Sequence, residues 1–345
     1  MSSVVSQALS TGNASPEKAP TGRAVSGMRP TGHLHLGHYF GALRNWVSMQ
    51  ETMETFFFVA DWHALTTEYG DPEKVRSSIP EMVKDWLVAG LNPERAVIFQ
   101  QSHVKEHAEL HLLLSMVTPT GWLERCPTYK EQLQQLSDRD ITTYGFLGYP
   151  VLMTSDIIVY RPRWVPVGHD QLPHLEISRE ICRRFNHLYG DFFPEPEAHL
   201  TPTAKCPGLD GRKMSKSYNN GILLCETIEE ITPKVKGMLT DMARLRRTDP
   251  GNPDVCNLYP YHELLTSSEE CASIREGCTQ ASFGCVQCKQ LLLQSLGQFL
   301  APLHERRAQL DKQPDYIMDV LAEGTRKAQA EAAKTLEVVR ARMGL

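Results

Sequence analysis

The chain has 345 residues, 41% of them hydrophobic and 22% charged, with a formal net charge of −5. That length suffices for two domains with cores of their own, and the acidic balance excludes a surface that binds nucleic acid all over, though not a local basic face. No apolar run reaches the length a membrane-crossing helix needs, and nine cysteines without a secretion signal point to a reducing, cytoplasmic setting.

Residues 1–22 are rich in Ser, Thr, Ala, Pro and Gly and read as a disordered tail, neither a signal nor a transit peptide. A short β-prone run follows at 24–26. Leu36, Phe40, Leu43 and Val47, on either side of Gly37 and beyond, recur at helical spacing. The continuous apolar run 56–60 fits a strand buried on both faces. Pro72 opens a helix with apolar Val75, Ile79, Met82, Val83, Trp86 and Leu87, closed by Gly90; Pro80 should kink or split it. Strand 96–99, helix 107–116, strand 165–167 and a helix over about 170–185 continue the alternation, which means a parallel sheet with helices on both faces. Beyond about 222 only helical patterns remain, over 227–245, 287–311 and 316–342. The boundaries expected are therefore a tail (1–22), an α/β domain (23–222) and an α-helical domain (223–345).

Two segments carry chemistry. Pro30-Thr31-Gly32-His33-Leu34-His35-Leu36-Gly37-His38 follows the first strand and turns into a helix. In an open parallel sheet that is where ligands bind, and helix N-termini favour phosphate. His35 and His38 are three apart and share a helical face. The second segment is a Gly-Leu-Asp-Gly-Arg loop (208–212), read as flexible, followed by Lys213-Met214-Ser215-Lys216-Ser217. Two lysines on a glycine-flanked loop suit a triphosphate, because nucleotidyl transfer asks for positioning and positive charge rather than a covalent nucleophile. Lys234, Lys236, Arg244, Arg246 and Arg247, facing only Asp241, form a candidate basic face for RNA.

In this order, about 175 residues apart, the two segments resemble the paired signatures of class I aminoacyl-tRNA synthetases. Residues 149–156 (Tyr-Pro-Val-Leu-Met-Thr-Ser-Asp), 165–171 (Val-Pro-Val-Gly-His-Asp-Gln), 26–32 and 41–47 narrow the likeness to the bacterial-type tryptophanyl enzymes, over nearly the whole chain. The resemblance implies a Rossmann-like catalytic domain, a helical anticodon-binding domain and a homodimer. It implies ATP, Mg²⁺, L-tryptophan and tRNA(Trp) as substrates and partners. By that likeness His35 and His38 contact the ATP phosphates, Lys213 and Lys216 stabilise the transition state, and Lys130 is a mobile lysine reaching the phosphates. Arg29, Thr31, Gly37, Gly168, Asp170, Met214, Ser215 and Ser217 complete the ATP site. Val25, His63, Tyr149, Met153, Asp156 and Gln171 bind the amino acid, with Asp156 accepting the indole N–H and Met153 packing on the ring. A buried carboxylate needing a donor rejects phenylalanine, which would leave it unpaired. Many bacterial relatives carry Asn at the place of His38 and Glu at that of His169. A tyrosyl enzyme would put phenol-binding groups where Met153 and Asp156 stand. A synthetase-like tRNA-binding or iron–sulfur protein would have no use for the intact lysine loop.

Cys256-x21-Cys278-x6-Cys285-x2-Cys288 places four soft ligands in 33 residues. Such a set suits Zn²⁺ or a [4Fe–4S] cluster. A similar pattern in a subset of the tryptophanyl family implies the cluster, with Cys271 competing with Cys256 as first ligand.

Overall fold

A computed structural model describes residues 22–127, 129–130, 142–200 and 206–345; the side chains of Asp170 and Ser217 fall outside that set. The expected tail therefore lies almost wholly outside the described residues.

Five strands, β1 (Arg23–Met28), β2 (Glu54–Val59), β3 (Ala96–Gln100), β4 (Trp164–Val167) and β5 (Glu197–Leu200), form one parallel sheet in the order β3-β2-β1-β4-β5. The expected parallel α/β architecture is the one observed. Register is fixed where both faces are covered: Val25 pairs with Phe56, and Phe57 with Ile98.

The first turn after β1 leads to α1 (Leu36–His38), a π-helical segment (Tyr39–Leu43) and α2 (Arg44–Met49). Then come α3 (Asp61–Glu68), α4 (Pro72–Ala89), α5 (Glu106–Ser115), α6 (Thr120–Glu124), α7 (Tyr144–Leu147), α8 (Tyr149–Ile158) and α9 (Leu172–Tyr189). Pro80 does not split α4. Its buried face, Val75, Ile79, Met82, Val83 and Trp86, runs through the proline and keeps both halves on the core. Asp71 caps the start, and Gly90 at φ 116° ends it.

The C-terminal part contains α10 (Ile228–Gly237), α11 (Tyr259–Leu265), α12 (Ser268–Thr279), α13 (Cys285–Leu310) and α14 (Tyr316–Met343). The helix expected over 227–245 stops at Gly237. Beyond it Asp241 accepts the backbone N–H groups of Ala243 and Asn252 at 2.9 and 2.8 Å, which fixes a turn instead.

Two compact units result, and they do not follow the boundary expected at 222. One, in its described part, comprises 206–222 and Glu226–Ala301; the other comprises the sheet with its helices, Leu223–Cys225 and Pro302–Leu345. The lysine loop thus groups with the helical unit, and the last helix with the sheet. The reason for the second is packing. α14 lies on β3 with Ala328, Ala332, Leu336 and Val339 buried in the sheet's own core. It approaches so closely that a Cβ on Gly324 would stand 2.5 Å from the Ile98 carbonyl carbon.

Candidate active site

In the sheet unit, the strand order reverses between β1 and β4, and the crevice beyond their carboxyl ends is where an open α/β sheet binds ligands. Thr31 to His38 follow β1, and Gly168 to Gln171 follow β4, as a 3₁₀ turn capped by Gly168. His35 is the N-cap of α1. Its Nδ1 accepts the His38 N–H at 3.3 Å, while the His38 Nδ1 accepts the His35 N–H at 3.2 Å, and the rings stack at 3.7 Å. The two histidines therefore form a reciprocal capping box, a rigid pair rather than two free surface side chains. Asp85, on α4 and fully buried, accepts the Leu34 N–H at 2.8 Å and is held by Arg307 at 2.6 Å. Burial raises the pKa of this carboxyl, against the Leu34 bond and the Arg307 charge.

An open cavity of about 360 Å³ is lined by Arg29, Thr66, Tyr129, Phe146, Tyr149, Pro150 and His174. Arg29 donates to Thr67 Oγ1 at 2.6 Å, and its Nε is buried without a partner. Tyr149, Met153 and Asp156 share one face of α8. His63 meets Tyr149 edge-on at 4.3 Å and bonds Asp156 at 2.8 Å. Asp156 is 1% exposed, also facing His107 at 2.6 Å and Gln101 at 2.7 and 2.9 Å. Burial alone would raise its pKa; the hydrogen bonds from His107 and His63 lead the causes that more than offset this and hold it at about 2. The result is an aromatic pocket with an ionised carboxylate one residue behind its wall. Val25 is fully buried in the sheet core and does not line the cavity. Lys130 is exposed, one residue past Tyr129.

In the helical unit, the segment carrying Lys213 to Ser217 is folded at its base rather than loose. Pro207 bridges Lys213, and Gly208 N–H reaches Arg212 O at 2.7 Å. Buried Asn220 ties the segment together: its Oδ1 accepts the Ser215 N–H at 2.8 Å and its Nδ2 donates to Lys213 O at 3.2 Å. Asn257 donates to Gly208 O and Leu209 O, and Tyr261 to Pro207 O, which anchors the segment to α11 and explains its grouping. Met214 is buried, while Lys213 is exposed. The basic run is not one helical face. Lys234 pairs with Glu226, and Arg244 bonds Phe283 O and Arg247 O, leaving Lys236, Arg246 and Arg247 as its exposed cations.

Cys278 and Cys288 each sense Cys256 and Cys285 electrostatically. Burial pushes the Cys288 thiol up to about 12 and raises Cys278, with the Arg244 charge opposing both. Cys271 is buried in a cluster against which Cys256 and Cys288 also pack, and its thiol donates to the Tyr259 hydroxyl at 3.3 Å. Among the described residues, no three His, Cys, Asp or Glu side chains are close enough to hold a single metal ion.

The sequence reading did not single out Gln101, His107, Tyr160, Asp85 or Asn220. The partners of Gln101, His107, Tyr160 and Asp85 lie far away in sequence, so spacing gives no sign of them, whereas Asn220 bonds within its own segment, to residues five to ten positions before it. His174 was within reach, three residues after Gln171 at the start of α9.

The profile of the tRNA synthetases class I (W and Y) matches residues 18–301. The chain belongs to that family. Among its relatives, tryptophan–tRNA ligase of Thermotoga maritima is 53% identical over 325 residues, covering 94% of this chain and 99% of the relative. That of Aquifex aeolicus is 46% identical, over 94% and 100%. The crystal structure of tryptophanyl-tRNA synthetase from Campylobacter jejuni, complexed with ADP and tryptophane, superposes with a TM-score of 0.85 at 31% identity, covering 94% of this chain and all of that one.

Proposed function

We propose that the cavity before Asp156 is the tryptophan pocket of a tryptophan–tRNA ligase, the enzyme that these relatives define. The activity is that of an aminoacyl-tRNA synthetase. The tryptophan carboxylate attacks the α-phosphorus of ATP, giving the adenylate and pyrophosphate; the terminal 2′-hydroxyl of tRNA(Trp) then attacks the adenylate carbonyl, releasing AMP. The observation that carries the amino-acid assignment is the buried, ionised Asp156 behind aromatic walls, an acceptor suited to an indole N–H.

Around it, Met153 packs on the indole, and His63, Tyr149 and Gln171 complete the amino-acid site. His35, His38, Arg29, Thr31, Gly37, Gly168 and Asp170 serve ATP, and Mg²⁺ bound with the nucleotide would neutralise part of its phosphate charge. Lys213 and Lys216 supply charge to the migrating pyrophosphate, with Met214, Ser215 and Ser217 shaping their loop, and Lys130 adds a mobile cation. The helical unit binds the anticodon, with Lys236, Arg246 and Arg247 as phosphate contacts, and the active form is a cytoplasmic homodimer.

Cys256, Cys278, Cys285 and Cys288 are proposed to hold a [4Fe–4S] cluster. Support comes from the donor set: four thiols in one unit, with Cys278 and Cys288 each within electrostatic range of Cys256 and Cys285. The bound cluster would staple the start of α13 to the end of α12. Arg244, 3.9 Å from the Cys278 sulfur, would stabilise a thiolate there.

Amino-acid-dependent exchange of labelled pyrophosphate into ATP, run across all twenty amino acids, tests the assignment. Exchange with tryptophan alone is expected. Exchange with tyrosine instead, or with none, would overturn it.

A further inference from the structure

Behind the pocket lies a chain of buried polar groups that the reaction as written does not use. A carboxylate has about four lone-pair sites. On Asp156 they are taken by His107 and Gln101 at Oδ1, and by Gln101 and His63 at Oδ2. An incoming indole N–H must therefore displace a donor already present.

The surroundings decide which one yields. His107 is fully buried and held at both nitrogens, Nδ1 on Asp156 at 2.6 Å and Nε2 on the Tyr160 hydroxyl at 2.7 Å. With Asp156 ionised, the partners assign Nδ1–H as donor and Nε2 as acceptor of the Tyr160 O–H. Phe58, Phe99 and Tyr160 surround its ring, and Tyr160 is itself stacked on Phe56 at 4.7 Å. Gln101 is fixed at its other end, where its Oε1 accepts the Trp62 N–H at 3.1 Å. His63 is different. Its Nδ1 is buried without a partner, and its ring lies against Tyr149, a wall of the cavity. A buried imidazole nitrogen with nothing to bond costs free energy, so this ring loses least by moving.

We propose that His107, seated on the Tyr160 hydroxyl, is a positioning residue for tryptophan selection: it fixes the Asp156 carboxylate as an oriented acceptor, and His63 gives up its place on Oδ2 to the indole N–H. This rests on Asp156 being the indole acceptor. His107 touches no substrate and acts through Asp156. Gln101 adds a second fixed support, so loss of His107 weakens the acceptor without abolishing it.

The test compares tryptophan with 3-benzothienylalanine, in which sulfur replaces the indole N–H, in pyrophosphate exchange. The readout is the ratio of kcat/KM for the two. His107→Phe is expected to lower that ratio about tenfold, through the KM for tryptophan, as loss of one hydrogen bond to a charged group implies. His107→Asn, which keeps a donor near the Nδ1 position, restores part of the ratio; Tyr160→Phe lowers it about threefold, by freeing the ring. Asp156→Asn separates the two levels of the argument. If it collapses the ratio while His107→Phe leaves the ratio unchanged, the role of His107 is refuted and the acceptor stands. If neither changes it, the acceptor reading falls and takes this proposal with it. Should His107→Phe fail to fold, the nearly isosteric Tyr160→Phe and His107→Asn decide, and an unchanged ratio in both overturns the proposal.

Discussion

Asp85 offers the most direct way to separate architecture from chemistry. One oxygen accepts the Leu34 N–H at 2.8 Å, immediately before the histidine turn; the other meets Arg307 at 2.6 Å, with side-chain exposures of 15% for the arginine and 1% for the aspartate. Asp85→Ala leaves a buried N–H without an acceptor, a cost of about 1–3 kcal/mol. It also removes a buried partner from Arg307, and breaking such a pair costs about 3–5 kcal/mol. Arg307 keeps Glu81, which offsets part of that, so the net loss is set at about 3 kcal/mol. Asp85→Asn retains an acceptor for Leu34 while losing the charge, and should cost about 2 kcal/mol. The two variants thus differ mainly in the Leu34 bond. Urea denaturation gives the stabilities, and pyrophosphate exchange gives kcat. The alanine variant should show about tenfold lower kcat than the asparagine variant, because only it lets the His35–His38 capping box drift. Equal kcat in the two, or an alanine variant within about 1 kcal/mol of the parent, would refute the view that Asp85 sets that turn.

Four further outcomes follow from the same structure. Gly324→Ala gains helix propensity on its own, but the added methyl meets the Ile98 carbonyl, so the urea midpoint should fall by the equivalent of about 2–3 kcal/mol; a rise would contradict the packing of α14. Asp156 is held at about 2 against an ordinary 3.8. Its folded pKa is depressed, so its contribution of about 2 kcal/mol is present above pH 4 and lost as pH falls from 4 toward 2; urea midpoints of Asp156→Asn should have a flatter acid limb than those of the parent. Lys216→Ala should lower kcat for exchange about a hundredfold with little change in tryptophan KM, and an unchanged kcat would remove that lysine from the transition state. Anaerobically purified protein should contain iron and acid-labile sulfide in near-equal amounts, lost in Cys278→Ser; zinc without sulfide would replace the cluster with a zinc site.

Much of the sheet, and the turns that follow β1 and β4, was legible because the signals are local. The apolar run at 56–60 has no polar side to expose, so it must be covered on both faces. Met153 and Asp156 fall on one helical face by spacing alone. The edge strand β5 was not legible: Glu197–Leu200 is short, half-exposed and has one neighbour, so it needs no apolar run. Nor was the destination of α14. Ile317, Val320, Leu321, Ala328 and Leu336 announce a buried face, but nothing in their spacing names the surface that covers it. The Asp156 network was half visible: His63 and Asp156 lie in recognisable motifs, whereas His107 and Gln101 are polar residues whose partners are 49 and 55 positions away. Lys213 and Lys216 were found by motif, while the anchoring by Asn257 and Tyr261 depends on tertiary contacts.

The return of 302–345 to the sheet has a consequence for biosynthesis. Domains generally fold as they emerge from the ribosome, amino-terminal parts first. Here a nascent chain that has extruded every strand still lacks the helix that covers β3, and Val97 and Phe99 lack that cover until α14 has been translated. The sheet unit is therefore among the last parts of the protein to mature, although its strands are made first. A ribosome that stops early releases a chain with an open sheet face, a species for chaperones and proteases rather than a partly active enzyme that charges tRNA without its final residues.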